Sequence, residues 1–190
     1  MMSRWLFYVP FAVCVSALAS PSQLASQVVT NEFVQGQFGA TCSVDGAPPA
    51  LTGDLDGDGI EDAVIPARCK NPMIDQTEHD FKVIDPYNAY FGYGDPRATS
   101  EFASEDPGSR GAVLLVIQGS GSDAWRAATP KAKFVIINLP FRQVTIKKLA
   151  VKKKTVMAIF TEETGGDHMN SALFWDGKKY RYTPLGAGFE

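Results

Sequence analysis

The stretch PALTGDLDGDGIEDAVIPARC (residues 49–69) places a short apolar segment on each side of an acidic loop. Five carboxylates crowd into residues 54–62, at Asp54, Asp56, Asp58, Glu61 and Asp62. Gly57 and Gly59 lie among them, and glycine allows the backbone conformations that a tight turn requires. The pattern predicts a sharp turn that is followed by a strand beginning near Ala63.

The spacing of these carboxylates indicates a cation site. Counted from Asp54, acidic side chains fall at positions 1, 3, 5 and 9 of the loop, and a glycine stands at position 6. Alternate side chains of a tight loop can converge on one point, where uncompensated like charges repel each other. Ca²⁺ takes about six to eight oxygen ligands, mostly carboxylates and carbonyls. We therefore expect Ca²⁺ as the cofactor, held by a water and by Asp54, Asp56, Asp58, Ile60 (through its carbonyl) and Asp62.

An EF-hand is the first alternative, and its twelfth loop position carries a bidentate glutamate. Here that position is Ile65, and the flanking sequence is typical of strands. The motif DLDGDGIEDAVI (residues 54–65) instead resembles the calcium loop of FG-GAP and VCBS-type repeats, found in integrin-like propeller blades. The resemblance implies that Asp54, Asp56 and Asp58 are the first three ligands and Asp62 the last. A second, degenerate copy at residues 161–175 lacks the alternating aspartates, so no metal is expected there.

The rest of the chain predicts a mainly β fold. Apolar or β-branched runs at residues 111–119, 133–141, 143–151 and 155–161 have strand character, and SALFWDGKKYRY (171–182) predicts a hairpin that turns at Asp176-Gly177. We expect an antiparallel sheet, as a sandwich or a partial propeller, within a single β-rich domain over residues 32–190. Residues 71–110 are expected to form a long irregular insertion with one short helix near residues 75–83.

The N-terminal residues and the cysteines indicate the compartment. The apolar run at residues 5–19 follows Arg4 and ends in small residues, which predicts a cleaved signal peptide over residues 1–19 and a flexible leader over 20–31. A lipid anchor at Cys14 is the alternative. Export would leave Cys42 and Cys69 in an oxidising compartment, where this pair is expected to form a disulfide. Two buried free thiols are the alternative. The expected location is secreted or periplasmic, with no transmembrane segment after signal cleavage.

Charge is divided unevenly along the chain. Residues 20–110 hold 15 acidic against 5 basic residues, a balance of −10, while residues 111–190 hold 6 against 12, a balance of +6. The two halves are expected to attract each other in one body. Because the net charge is −3 and the lysines lack interleaved aromatic residues, a nucleic-acid partner is not expected.

Two further groups are candidate binding surfaces. The aromatic group Tyr87, Tyr90, Phe91 and Tyr93 could hold a carbohydrate or a peptide, or it could pin an irregular loop to the core. The lysine group Lys152, Lys153 and Lys154 could dock an anionic envelope polymer, or it could be a solvated turn that discourages edge pairing. The expected partners are therefore an envelope polymer, a carbohydrate or a protein.

Enzymatic motifs are scarce. The sequence has no G-x-S-x-G elbow and no H-E-x-x-H motif, and its two histidines, His79 and His168, each stand beside an acid. We expect a secreted or periplasmic calcium-binding domain that is not an enzyme and acts as a binding or envelope-associated module. The alternative is a secreted hydrolase that uses acidic and histidine residues of the insertion at 75–106.

Overall fold

The computed structural model describes residues 28–45, 49–93, 110–139, 141–164 and 169–187. The expected signal peptide at residues 1–19, most of the expected leader and the GGDH segment at 165–168 lie outside these residues. In the part that is described, the chain forms two β-sheets with a few short helices, so the expected mainly β fold is confirmed. No helix among the described residues is long and apolar enough to cross a membrane.

The described residues form two short α-helices, one 3-10 helix and ten strands. The helices are α1 (Asn31–Phe38), α2 (Pro86–Tyr90) and a 3-10 helix (Gly121–Arg126). The strands are β1 (Cys42–Ser43), β2 (Leu51–Gly53), β3 (Asp62–Cys69), β4 (Lys82–Ile84), β5 (Ala112–Gln118), β6 (Ala132–Ile136), β7 (Phe141–Val151), β8 (Lys154–Glu163), β9 (Met169–Trp175) and β10 (Tyr180–Ala187).

The first sheet is mixed and has the order β1-β3-β5-β6-β4. Strands β1 and β2 pair with the same edge of β3: β1 with its C-terminal end and β2 with its N-terminal end. Its pairs are antiparallel except β4 with β6, which run parallel. The centre of this sheet is β3 and β5, whose near-continuous apolar sequences suit strands that are covered on both faces. The β4–β6 pair adds a parallel pairing to a sheet that is otherwise antiparallel, as expected.

The second sheet is antiparallel, in the order β10-β9-β8-β7. The hairpin predicted from SALFWDGKKYRY is confirmed as β9 and β10, with Tyr180 opposite Trp175. Gly177 has a φ of +97°, which explains why glycine follows Asp176 at this turn. The long hairpin of β7 and β8 turns at Lys152, which also has a positive φ.

Alternation along β3 and β5 divides the apolar side chains between two cores. Ile65 and Leu115 face a core that also contains Phe38 of α1 and the buried Trp125. Val64 and Val116 face a second core, shared with side chains of the second sheet such as Leu173. The first sheet is thus the middle layer, with α1 on one face and the second sheet on the other.

The helix α1 was not expected from the sequence. Thr30 is its N-cap, where the hydroxyl accepts a hydrogen bond from the N–H of Phe33, and Val29 just before it is buried. Residues 28–31 therefore belong to the folded domain rather than to a flexible leader, because burial of Val29 and helix capping fix them in place. The predicted helix near residues 75–83 was wrong: those residues form turns that lead into β4, and the helix comes later, as α2.

The disulfide between Cys42 and Cys69 is confirmed. The two cysteines stand directly opposite each other in the β1–β3 pair, with Cα atoms 4.1 Å apart. Both are buried at the edge of the first core. The bond fixes the short strand β1 to the end of β3 that lies opposite the acidic loop.

Candidate metal centre

The acidic loop is the connection of a short β-hairpin. Gly53 at the end of β2 pairs with Asp62 at the start of β3, and residues 54–61 form the turn between them. Gly57 and Gly59 have φ values of +81° and +85°, which a side chain would disfavour. The sharp turn expected from the glycines is present.

Hydrogen bonds between the aspartates and the loop backbone hold the turn together. The carboxylate of Asp54 accepts from the N–H groups of Gly57 and Gly59, at 2.8 and 3.0 Å. The Oδ1 atom of Asp58 accepts from the N–H of Ile60, at 2.9 Å, and Oδ1 of Asp56 accepts from the N–H of Asp58, at 3.2 Å. The Oδ2 atoms of Asp56 and Asp58 take no part in these backbone hydrogen bonds.

The loop brings three of the expected ligands together. One carboxylate oxygen from each of Asp54, Asp56 and Asp58 lies within 4.8 Å of the other two. Hard oxygen donors that converge in this way suit Ca²⁺, which accepts flexible geometry at oxygen ligands. Ile60, the expected carbonyl ligand, belongs to the same loop.

A positive charge already lies on this group. Lys131 Nζ is 2.7 Å from Asp56 Oδ2 and 2.6 Å from Asp58 Oδ2. The pKa of Asp58 is held below its usual range mainly by this hydrogen bond, and the pKa of Lys131 is raised in turn by the two carboxylates. The ammonium is thus a stand-in cation on two oxygens that the backbone leaves free, which supports the fit of this site to a cation.

Asp62, the fourth expected carboxylate ligand, lies outside the converging group. Its side chain is buried, and its Oδ2 accepts from the N–H groups of Leu55 and Asp56, at 2.8 and 3.3 Å. Its Oδ1 accepts from the N–H of Gly119, at 2.8 Å. Burial raises the pKa of Asp62 to about 6, although these N–H donors favour the charged form. In this arrangement Asp62 anchors the base of the loop to the end of β5.

An aromatic side chain, Trp125, also contacts the acidic loop. Trp125 is buried, and its indole Nε1 donates to Glu61 Oε1 at 3.2 Å. The guanidinium of Arg126 lies over the same indole ring, 4.2 Å from its centroid. Trp125 therefore connects the loop to the first core.

The aromatic group is partly assembled around the second sheet. Tyr87, Tyr90 and Phe91 each make ring contacts with Tyr182 of β10, with centroids 5.1 to 6.3 Å apart. Tyr93 is the exception: it is 68% exposed and makes no ring contact among the described residues. The pKa of Tyr87 is raised, first by burial and then by the charges of Glu163 and Asp85.

A cleft of about 300 Å³ lies between α2 and β10. Its lining residues include Tyr90, Tyr180 and Tyr182, together with two cationic residues, Lys179 and Arg181. The sequence did not indicate that these two cations would stand beside the aromatic group. The lysine group 152–154 lies elsewhere, exposed at the turn between β7 and β8.

The described residues give no support to an acid–histidine dyad. His79 is half-buried, and its Nδ1 lies 3.2 Å from the carbonyl oxygen of Gly36, with no carboxylate at hydrogen-bond distance among the described residues. His168 lies outside the described residues. The hydrolase alternative therefore gains nothing from the geometry around His79.

Two residues of the centre escaped the sequence reasoning. Lys131 stands 73 positions after Asp58, and Gly119 stands 57 positions after Asp62. The only signal for Lys131 was the general excess of basic residues in the second half of the chain. Gly119 begins the stretch GSGSD (residues 119–123), whose glycine and serine content is typical of a turn.

No family model, no curated protein and no solved structure matches this chain. The likeness of residues 54–65 to FG-GAP and VCBS loops therefore stays a prediction from the sequence. Function is inferred instead from the contacts of the described residues.

Proposed function

We propose that this protein is a calcium-binding module in which the loop at residues 54–62 holds one structural Ca²⁺. The observation that carries the proposal is the convergence of the carboxylates of Asp54, Asp56 and Asp58 within 4.8 Å. Such a group repels itself unless a cation lies on it, and a bound cation removes that repulsion. The ammonium of Lys131 pairs with two of the three carboxylates, which supports the view that this group requires a cation.

The calcium would act on the fold rather than on a substrate. The loop joins β2 to β3, and β3 is the central strand between the two cores. Asp54, Asp56 and Asp58 would supply carboxylate oxygens, while Asp62 keeps the loop attached to the end of β5. Ligation would therefore stabilise the edge of the middle sheet. We propose a non-enzymatic role for this centre.

The compartment is part of the proposal. Disulfides persist in oxidising compartments, so the Cys42–Cys69 bond favours a non-reducing environment. Together with the predicted signal at residues 1–19, this supports a secreted or periplasmic protein. Calcium modules outside the cytoplasm bind at about 10⁻⁴ to 10⁻³ M, concentrations that such compartments can supply.

The test is thermal unfolding of the purified protein with calcium in the millimolar range and with excess chelator, beside metal analysis of the same sample. We expect a higher melting temperature with calcium and about one calcium ion per chain. Asp56→Asn should abolish the response to calcium. Asp45→Asn is the matched control, because Asp45 is 81% exposed and pairs only with Arg68 among the described residues. A full calcium response in Asp56→Asn would remove the loop from the proposal.

A second function is favoured by the cleft between α2 and β10. Tyr90 lines the cleft and is 53% exposed, so its ring can stack on the apolar face of a sugar. Lys179 adds an exposed positive charge with no ion pair among the described residues. Arg181 also lines the cleft, although it pairs with Asp176. A carboxylate, Asp85, also lines the cleft; it is buried and accepts from Asn88 and Asn138, and the two cationic residues of the lining outnumber it. We propose an acidic carbohydrate, such as a uronate polymer of the cell envelope, as the ligand.

Titration of the calcium-loaded protein with oligouronates, followed by calorimetry or NMR, tests this second function. Tyr90→Ala should weaken binding at least tenfold, because Tyr90 lines the cleft. Tyr93→Ala is the control, since Tyr93 is exposed and does not line the cleft. Equal binding of neutral oligosaccharides would contradict the charge argument, and no binding of either would refute the ligand class.

A further inference from the structure

The contact between Lys131 and the acidic loop joins two distant parts of the chain. The backbone N–H of Lys131 donates to the carbonyl oxygen of Gln118 at 2.9 Å, which places the residue at the mouth of the loop, just before β6. Its side chain is 47% exposed, whereas the side chain of Asp56 is 2% exposed. The lysine therefore reaches from solvent onto a nearly buried carboxylate.

Lys131 contacts the oxygens of Asp56 and Asp58 that accept no hydrogen bond from the loop backbone. In Asp56 and Asp58, Oδ1 accepts a hydrogen bond from the loop backbone and Oδ2 accepts from Lys131 Nζ. A Ca²⁺ ion that used these two carboxylates would bind at the oxygens that the ammonium now covers. Ca²⁺ and the ammonium of Lys131 would repel each other at such short range, so both cannot contact the same two oxygens.

We propose that Lys131 is an internal competitor for the calcium loop. In the absence of metal its ammonium neutralises part of the charge of Asp56 and Asp58, and calcium binds only by displacing it. This inference rests on the proposed calcium function and adds a property to it: the lysine lowers the affinity for calcium and keeps the loop ordered when calcium is scarce. The lysine thus sets the calcium concentration at which the loop is loaded.

The proposal predicts opposite effects of one substitution on affinity and on stability. Lys131→Met removes the charge and keeps most of the apolar stem, so calcium should bind about tenfold more tightly, equivalent to about 1.4 kcal/mol. The chelated variant should melt at a lower temperature than the chelated wild type, because the carboxylates lose their counter-charge. Lys131→Arg keeps the charge and should restore weak binding. Lys153→Met is the matched control, since Lys153 is exposed at the β7–β8 turn.

Calorimetric titration with Ca²⁺ measures the affinities, and Tb³⁺ luminescence excited through tryptophan reports binding beside Trp125, which touches the loop through Glu61. If Lys131→Met is poorly folded in chelator, the titration starts from the calcium-loaded protein and follows release to a chelator of known affinity. Tighter binding by Lys131→Met and unchanged binding by Lys153→Met would support the proposal.

The outcomes separate this inference from the calcium function on which it rests. If the wild type and Lys131→Met bind calcium equally, the competitor role is refuted and the calcium function stands. If only Lys131→Met binds calcium, Lys131 is confirmed as the competing cation, and the calcium function fails for the wild type because the lysine holds the site permanently. If neither binds, both proposals are refuted.

Discussion

The carboxylate of Asp62 accepts a hydrogen bond from the backbone N–H of Gly119 at 2.8 Å. The contact joins the first residue of β3 to the residue after the end of β5, so it closes the acidic loop against the middle sheet. Gly119 can approach this closely because it has no side chain. A Cβ atom at this position would lie 2.3 Å from the carbonyl oxygen of Glu61 and 2.9 Å from the backbone nitrogen of Trp125.

Gly119→Ala should therefore destabilise the protein by about 1–3 kcal/mol, the usual range for overpacking at a site that must shift. It should also weaken calcium binding, because the base of the loop moves. Chemical denaturation and calcium titration measure the two effects. Gly36→Ala is the control: a Cβ there meets nothing within 4 Å, and alanine in place of a mid-helix glycine should stabilise by about 0.5–1 kcal/mol. Equal stabilities for the two variants would contradict the close approach at Gly119.

Asp62 should give the metal-free protein a characteristic pH dependence. Because burial raises its pKa from 3.8 to about 6, the folded protein keeps a proton that the unfolded chain has already released. The contribution of Asp62 to stability is therefore complete below about pH 4 and is lost as the pH rises to about 6. Denaturation in chelator at several pH values, for the wild type and for Asp62→Asn, isolates this contribution as a difference.

Other acids make that comparison necessary. The pKa of Asp58 is lowered by Lys131 and that of Asp176 is lowered to about 2 by Arg181, and such groups add stability that is lost as the pH falls. They remain in the Asp62→Asn variant, so the difference between the two proteins isolates Asp62. A difference that does not change between pH 4 and pH 6 would show that Asp62 titrates normally. At neutral pH, Asp62→Asn should lower the free energy of unfolding by about 1–3 kcal/mol. The asparagine NH₂ group replaces one of the two carboxylate oxygens that accept hydrogen bonds from backbone N–H groups.

Removal of the disulfide should lower the free energy of unfolding by about 3.5 kcal/mol in the chain-entropy model. The bond closes a loop with a sequence separation of 27 residues, and that loop contains the acidic turn. Denaturation of Cys42→Ala/Cys69→Ala measures the loss. In the wild type, thiol labelling should find both cysteines unreactive until a reductant is added, and labelling without reductant would disprove the bond in solution.

The buried pair of Tyr182 and Glu163 offers a test of the second sheet. Tyr182 Oη donates to Glu163 Oε1 at 2.7 Å, and both side chains are buried. Tyr182→Phe leaves the carboxylate without this donor and should cost about 1–3 kcal/mol. Tyr93→Phe, at an exposed ring, should change stability by less than about 0.5 kcal/mol. Chemical denaturation of both variants measures the free energies of unfolding. Equal free energies for the two variants would argue against the buried hydrogen bond.

Local signals predicted much of this fold. The Asp176-Gly177 turn and the β-branched runs identified the second sheet, because hairpins depend on turn chemistry and alternation close together in the chain. The loop at residues 54–62 was likewise local, and three of its expected ligands converge. The helix α1 was missed, although Thr30 before it and Gly39 after it are ordinary cap residues, because the polar composition around it resembled a leader.

The rest of the centre depends on contacts across the chain. The position of Lys131 is set by the pairing of β5 with β6, and the role of Gly119 by the approach of the β5 end to the loop. Neither pairing can be inferred from the residues around Asp54. The parallel pairing of β4 with β6 was missed for the same reason, since β4 is only three residues long and β5 lies between the two strands in the chain.

Strands β3 and β5 are covered on both faces, and this has a consequence for the order in which the protein opens. Their amide hydrogens should exchange with deuterium more slowly than any others described, because exposing them requires both cores to separate. Asp62 is the first residue of β3, so the acidic loop ends where one of the two slowest-exchanging strands begins. Lys131 and the backbone hydrogen bonds hold the loop without calcium, and calcium should slow the exchange of the loop amides further, while β3 changes little. Calcium binding would then be detected as slower amide exchange in the loop next to β3, a strand whose own amides already exchange slowly without calcium.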